Sequence, residues 1–258
     1  MSNNQTKDIK GSVQHQFGQV AANYSTSTVH AQGIDLKEMV KIAKLTGTER
    51  VLDVGCGTGH TALNFAPHVA QVIAVDFTEG MLAEGRKLAS KRNLSNIEFR
   101  QGDAEKLNFA DGEFDVVVSR YSAHHWPHPQ SALREFRRVL RPGGQFILSD
   151  VVSFDDFTAD TFVQALELLR DPSHVRDHTT TQWLGMLAAA NLPAEVVFTW
   201  DVQLEFASWV IRMATPTLNV HMIKTLFDGA PQEVRAALKV EPDYSFAFQG
   251  ALLHSVRK

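Results

Sequence analysis

The sequence predicts an α/β protein built on a mostly parallel sheet with helices on both faces. Three observations carry this. Val51-Leu52-Asp53-Val54 runs into Gly55-Cys56-Gly57-Thr58-Gly59 and then into helix-forming residues, a strand, tight turn and helix in immediate succession. Short buried-strand patterns then alternate with helical ones as far as residue 150. Finally, 258 residues with 44% hydrophobic content suit one α/β domain carrying an added lobe.

Two helices lead the chain, because Val13, Phe17, Val20, Ala21 and Tyr24 share one helical face and Leu36, Met39, Val40 and Ala43 another. The first strand and its glycine turn follow, with a helix over 58–66. A second strand over 71–76 ends on Asp76, and a helix to about residue 91 turns Met81 and Leu82 inward. The third strand, 97–101, closes on Gly102-Asp103-Ala104-Glu105, and the fourth, 114–119, leads into a loop reading Arg120-Tyr121-Ser122-Ala123-His124-His125-Trp126-Pro127-His128. A helix over 130–140 stops at Arg141-Pro142-Gly143-Gly144 before a fifth strand at 145–149. Beyond it come an amphipathic helix over 158–170 and a second helix from Thr179 to about residue 190, opened by Thr179-Thr180-Thr181-Gln182 with capping-box spacing. A sixth strand at 195–204, short helical pieces within 208–238 and a last strand at 245–256 complete seven strands.

Glycine at every second position lets the first turn take positive φ and brings a ligand against the backbone, beside the unpaired N–H groups of a helix start. A dinucleotide frame needs G-x-G-x-x-G. Here the third glycine comes one residue early and His60 stands in its place, which counts against a nicotinamide cofactor. Asp53 fits a ligand carrying an ammonium group, held directly or through water. Asp76, about 20 residues past the loop, is placed to accept hydrogen bonds from two ribose hydroxyls.

These residues resemble motif I of the class I S-adenosylmethionine (SAM) dependent methyltransferases, hydrophobic-hydrophobic-Asp-hydrophobic-Gly-x-Gly-x-Gly. Motif order and spacing over 50–150, with the Arg-Val-Leu-Arg-Pro-Gly-Gly run before the fifth strand, resemble this family throughout, and within it the ubiquinone/menaquinone and small-molecule branch. The resemblance implies a Rossmann-like seven-stranded mostly parallel sheet, its last strand antiparallel, with a helical roof insert. It divides the chain into leading helices (1–49), a SAM-binding core (50–150), the roof (151–192) and the C-terminal part of the sheet (193–258).

The activity so implied is in-line methyl transfer from SAM to a small, partly apolar organic acceptor. Asp53, Gly55, Cys56, Gly57, Gly59, Asp76, Phe77, Met81, Asp103, Ala104, Ser119 and Arg120 are expected to hold SAM. Asp103 would take the adenine amino group and the Ala104 N–H a ring nitrogen. Phe17, Tyr24, Tyr121, Trp126 and His174 are the expected acceptor residues. Where quinone-methylating enzymes tend to carry an Arg-Asn pair, this loop reads His124-His125, which argues against a quinone.

A proton must leave the acceptor, and histidine titrates in the right range. His124 and His125 are therefore the candidate catalytic residues. Adjacent residues of an extended loop point to opposite sides, so one should face the acceptor and the other anchor the loop. The acids close to the loop in sequence are few, Cys ligands are absent and no zinc-type His pair is evident, so no metal is expected.

Composition narrows partners. A net charge of −4 supplies no basic field for a phosphate backbone, and the loop lacks the proline motifs of DNA-methylating enzymes, so nucleic acid is not expected as substrate. No run approaches the roughly 20 apolar residues of a membrane span, and the polar start has no signal-peptide core, so no membrane association and a cytoplasmic location are expected. A single cysteine, Cys56, leaves no disulfide and reads as a small residue of the tight turn. A monomer or homodimer is compatible with these features. Two other functions stay open at this point: a SAM-binding sensor or scaffold without turnover, and a nicotinamide-dependent oxidoreductase.

Overall fold

In the computed structural model, which describes residues 8–25 and 31–258, seven strands form one sheet in the order β3-β2-β1-β4-β5-β7-β6. The strands are β1 (Arg50–Val54), β2 (Gln71–Asp76), β3 (Ile97–Gln101), β4 (Phe114–Arg120), β5 (Leu140–Val152), β6 (Ala194–Leu204) and β7 (Phe246–Val256). β1 to β5 run parallel, and β7 lies antiparallel between β5 and β6. The chain winds outward from β1 to β3, then returns to place β4 on the other side of β1. That reversal opens a crevice beyond the carboxyl ends of β1 and β4, where open α/β sheets bind ligands.

Helices cover both faces because the central strands bury both. On one face α5 (Pro129–Val139) turns Leu133, Phe136 and Val139 into a core with Leu52, Val54, Val117 and Phe146. On the other, α2 (Ile34–Ala43), α3 (His60–Phe65) and α4 (Glu79–Lys91) pack Met39, Phe65 and Leu82 against Val51, Val72 and Val118. The leading helix α1 (Ile9–Ser25) lies on α4.

A third core belongs to a helical layer. α6 (Phe157–Arg170) packs against α9 (Thr217–Asp228) and α10 (Gln232–Ala237), joined by Trp209 of α8 (Phe206–Arg212) and by Val202, Phe246 and Phe248 from the last two strands. The remaining helix, α7 (Thr180–Ala189), buries Trp183 and Leu187 in the core beneath α5 and β6. Of the stretch 151–192, then, α6 joins the layer beside the crevice while α7 packs away from it. The capping box predicted for α7 forms in full: Thr179 accepts from the Gln182 N–H and Gln182 from the Thr179 N–H.

Three boundaries differ from the sequence reading. α3 starts at His60 because Gly59 sits in the left-handed region at φ 80° and cannot itself be helical. β5 begins at Leu140, since Leu140 pairs with Phe114 before a register shift, so the Arg141-Pro142-Gly143-Gly144 turn is an irregularity inside the strand. Residues 123–125 form a 3-10 helical turn rather than an extended loop, closed by the His125 N–H to Ser122 and the Trp126 N–H to Ala123 carbonyls.

Candidate active site

At the end of β1 the chain folds back over β2. The N–H groups of Gly55 and Cys56 both donate to the Val75 carbonyl, at 2.8 and 3.0 Å, and the Gly57 N–H donates to Asp76 Oδ2 at 2.8 Å. Gly55, Gly57 and Gly59 have φ of 69°, 52° and 80°, so each needs the freedom that glycine alone has without strain. Their surroundings differ. A Cβ on Gly55 would come within 1.8 Å of Ser122 Oγ and one on Gly59 within 2.8 Å of the Phe99 ring, whereas one on Gly57 would meet nothing within 4 Å. The space in front of Gly57 is the cleft itself, about 1010 Å³ including its mouth.

Of the expected SAM residues, Gly55, Cys56, Gly57, Asp76, Phe77, Met81, Asp103, Ala104 and Arg120 line this cleft, together with Phe17, Tyr24, Tyr121, Trp126 and His125. Asp76 points into it from the end of β2. Burial pushes its carboxyl up, against the pull of the Thr78 and Gly57 N–H donors. Asp103 closes the β3 end. It accepts the Glu105 N–H at 2.9 Å and pairs with Lys10 of α1 at 2.7 Å, and Lys10 also reaches Glu105 at 2.8 Å. Lys10 thus ties the leading helix across the cleft. One lysine in a polar leader gives no periodic signal, and sequence reasoning missed it.

Asp53, Gly59 and Ser119 lie outside the lining, each for a stated reason. Strand alternation turns Asp53 toward α3, where Oδ2 accepts the Ala62 N–H at 3.0 Å and so caps the helix start. Its Oδ1 is buried without a hydrogen-bond partner, and burial raises its carboxyl to about 7. Gly59 is spent on the turn against Phe99. Ser119, fully buried, donates to the Val54 carbonyl at 2.8 Å and locks β4 to β1.

Arg120 both faces the cleft and pins α2. Its Nε and Nη2 hold Asp35 at 2.5 and 2.9 Å, and Ser149 donates to the same carboxylate at 2.8 Å. The guanidinium lies 4.4 Å from the centre of the Tyr121 ring. Tyr121 itself has φ 49°, an uncommon conformation for an aromatic residue, and its phenol is raised by burial. The turn that follows is held by Asp150 at the end of β5, whose Oδ2 accepts the Ala123 N–H at 2.8 Å and whose Oδ1 meets His124 Nδ1 at 2.8 Å.

The two histidines are in different electrostatic states. Burial alone would depress the His124 imidazolium, but the Asp150 carboxylate outweighs it and holds the pKa up at about 9. His125, depressed by burial and then by the charge on His124, falls to about 4. His125 Nδ1 lies 3.0 Å from the Ser173 carbonyl, which can only accept, so that nitrogen carries the proton and Nε2 keeps the lone pair. The rings are 4.3 Å apart at a tilt of 52°, and so do not face opposite ways as an extended loop would require.

Acids few in the local sequence are brought in by the fold: Asp150, Asp171, Asp177 and Glu167 all act on this histidine pair. Among the described residues no group of three or more His, Cys, Asp or Glu is arranged to hold a metal. His174 lines neither the cleft nor the space beyond it. It is buried against Gln164 at 3.1 Å, because the segment 171–179 docks through Val175 and Arg176 N–H bonds to the His124 carbonyl.

Phe17, Tyr24, Tyr121 and His125 also line a second chamber beside the cleft, about 560 Å³ including its open side, to which His124, Arg170, Arg212, Trp209 and Phe248 contribute. Phe17 stands edge-on to both Tyr24 and His125, with centroids at 5.4 and 4.9 Å. Sequence reasoning missed the arginines, since they come from helices some 40 residues apart that only the third core brings together.

Residues 52–148 match a family model described as a methyltransferase domain. The chain is 36% identical over 247 residues to the uncharacterised methyltransferase YcgJ of Bacillus subtilis, covering 94% of this chain and 98% of that one. The crystal structure of YcgJ superposes with a TM-score of 0.83 over 86% of this chain and 97% of the other. The uncharacterised protein YafE of Escherichia coli K12 is 42% identical over 192 residues, 74% of this chain and 93% of that one. A demethylmenaquinone methyltransferase of Listeria monocytogenes is 36% identical over 117 residues, only 44% of this chain and 49% of its own. No helix among the described residues is long and apolar enough to cross a membrane. With the glycine turn, the acids at the ends of β2 and β3 and a relative matched along almost its whole length, the chain belongs to the class I SAM-dependent methyltransferases.

Proposed function

We propose that this methyltransferase acts on a small, partly apolar organic molecule seated in the second chamber, with the cofactor in the cleft beside it. The observation that carries the reading is the junction: Phe17, Tyr24, Tyr121 and His125 belong to both spaces, so donor and acceptor can meet across them. The second chamber combines apolar residues, Val202, Leu204, Trp209 and Phe248 among them, with a few charged groups, a mixed lining that suits a small, partly apolar molecule. A net charge of −4 suits it poorly to polyanions.

The residues present fit SAM. Gly57 leaves its Cβ position open to the cleft, Asp76 offers lone pairs suited to ribose hydroxyls, and Asp103 and Ala104 offer an acceptor and a donor for adenine. SAM supplies an electrophilic methyl group on a cationic sulfur. The protein then has to align the acceptor with it, and such positioning accounts for a large share of rate acceleration.

His125 is the histidine we assign to the acceptor. It is neutral at physiological pH and lines both spaces, and its unprotonated Nε2, 3.9 Å from Asp171 Oδ2, is the atom we assign to orient an acceptor hydroxyl or amine and to take its proton. His124, charged and paired with Asp150, anchors the turn and keeps His125 neutral.

A screen of small acceptors with labelled SAM, run beside RNA and protein substrates, tests the class. Methylation of RNA or protein with none of the small molecules would overturn it. His125→Ala is expected to leave S-adenosylhomocysteine affinity nearly intact and to lower turnover by about 10²–10⁴-fold. The wild-type kcat/KM should show no imidazole limb between about pH 5 and 8, because His125 titrates near 4. Full turnover in the mutant would leave positioning by other residues as the source of catalysis.

A further inference from the structure

The second chamber has an unbalanced charge. Its apolar lining comes from Val202, Leu204, Trp209 and Phe248, and among them stand the charged residues Glu167, Arg170 and Arg212. Arg170 is satisfied: Nη1 pairs with Glu167 at 3.2 Å, Nε donates to the Trp209 carbonyl at 3.1 Å, and the guanidinium lies 5.0 Å from the centre of a Trp209 ring. His124 is balanced by Asp150.

Arg212, at the end of α8, has no such answer. No carboxylate of the described residues forms an ion pair with it, the stretches 1–7 and 26–30 contain no Asp or Glu, and its buried Nε has no hydrogen-bond partner. Its other hydrogen-bonding neighbour in the chamber, the Tyr24 hydroxyl, is shared with Arg170. Burial and the neighbouring Arg170 charge lower its pKa and outweigh the opposing pull of Tyr24 and of Glu167, whose carboxylate is paired with Arg170. Asp177 does not compensate. It forms no ion pair with Arg212, its Oδ2 is unpartnered, and burial pushes its carboxyl up.

A half-buried guanidinium without an ion-paired counter-ion carries a desolvation cost, and a ligand carboxylate would relieve that cost with charge-assisted hydrogen bonds. We infer that the acceptor carries a carboxylate that seats on Arg212, with Arg170 as second donor and an apolar body along Trp209 and Phe248. One unanswered guanidinium matches one negative charge. The inference rests on the reading of this chamber as the acceptor site, and it places the anionic end away from the cofactor, since Arg170 and Arg212 line the second chamber alone.

The test is calorimetric titration, with S-adenosylhomocysteine saturating, of cinnamate, indole-3-acetate and octanoate, each beside its primary amide, and of phenyl phosphate. At least one acid should bind about 10- to 100-fold more tightly than its amide, the worth of a single charge-assisted bond. Arg212→Gln should abolish that preference while S-adenosylhomocysteine affinity stays unchanged. Glu167→Gln, which removes a competing carboxylate from the same chamber, should tighten acid binding, and it decides the matter if Arg212→Gln fails to bind S-adenosylhomocysteine.

Acids and amides binding equally would overturn the carboxylate and leave the small-acceptor reading standing. A preference that survives Arg212→Gln, acid binding unimproved by Glu167→Gln, or phenyl phosphate binding more tightly than every acid would also overturn it. No binding by any probe to protein that does bind S-adenosylhomocysteine would overturn both.

Discussion

Replacing Asp150 with asparagine separates the electrostatic work of the β5 carboxylate from its shape. The side-chain amide still offers an oxygen to the Ala123 N–H, but it cannot hold the His124 imidazolium. In the wild type that imidazolium, ordinarily titrating at 6.5, is carried to about 9 within a pair whose side chains are 17% and 2% exposed. At about 1.4 kcal/mol per pKa unit this corresponds to stabilisation on the order of 3 kcal/mol. Its sign is set by which state keeps the proton. Between 6.5 and about 9 the folded protein holds a proton that the unfolded chain has released, so the stabilisation is complete below pH 6.5 and is lost as pH rises through about 9. Urea unfolding of both proteins from about pH 6 to about pH 9.5 measures it as a difference, which removes other buried groups such as Asp53 that titrate in both. The gap should be about 3 kcal/mol at the acid end and close toward the alkaline end. A gap that stays constant across the range would refute the assignment of the charge to His124.

Two glycines of the same loop should fail differently. Gly57→Ala places a methyl group into the open cleft and should weaken S-adenosylhomocysteine by more than about 10-fold at a stability cost of about 1–2 kcal/mol, measured by calorimetry and melting. Gly59→Ala drives a Cβ to 2.8 Å from Phe99 in the left-handed region and should cost about 2–4 kcal/mol of stability with cofactor affinity largely kept; equal behaviour of the two would refute the distinction. Asp76→Asn should weaken S-adenosylhomocysteine by about 10- to 100-fold, and unchanged affinity would remove Asp76 from the ribose.

The parts of the site legible in the sequence are those where chemistry and chain are local. A turn with three positive-φ residues can be read from glycine spacing, and an acid at a strand end can be read from where the apolar run stops, which is how Asp76 and Asp103 were found. Asp53 lies in the same motif, yet its direction depends on strand alternation and on where α3 lands, so an expected ligand group serves as the cap beneath the loop. The His124-His125 pair was visible as a feature, but its division of roles was not. That division depends on a 3-10 turn closed by Ser122 and on an Asp150 carboxylate 26 positions away from His124.

The cofactor cleft and the second chamber differ in how they are drawn from the chain. Every residue proposed for SAM falls between 53 and 120, in turns that follow successive strands of one winding unit, so order along the chain becomes order in space. The chamber proposed for the acceptor draws Phe17 from the first helix, His125 from the β4 turn, Arg170 and Arg212 from two helices of the third core, and Phe248 from the last strand. Its composition is set by how that helical layer packs rather than by any motif, and Arg212 shows the consequence. On α8 it reads as an ordinary helix-terminal arginine, well suited to the negative end of the helix dipole. Only the packing of α1 and α6 beside it leaves the guanidinium half-buried with its Nε unpartnered and no carboxylate paired to it, and so makes a surface-type residue the group proposed to select the substrate.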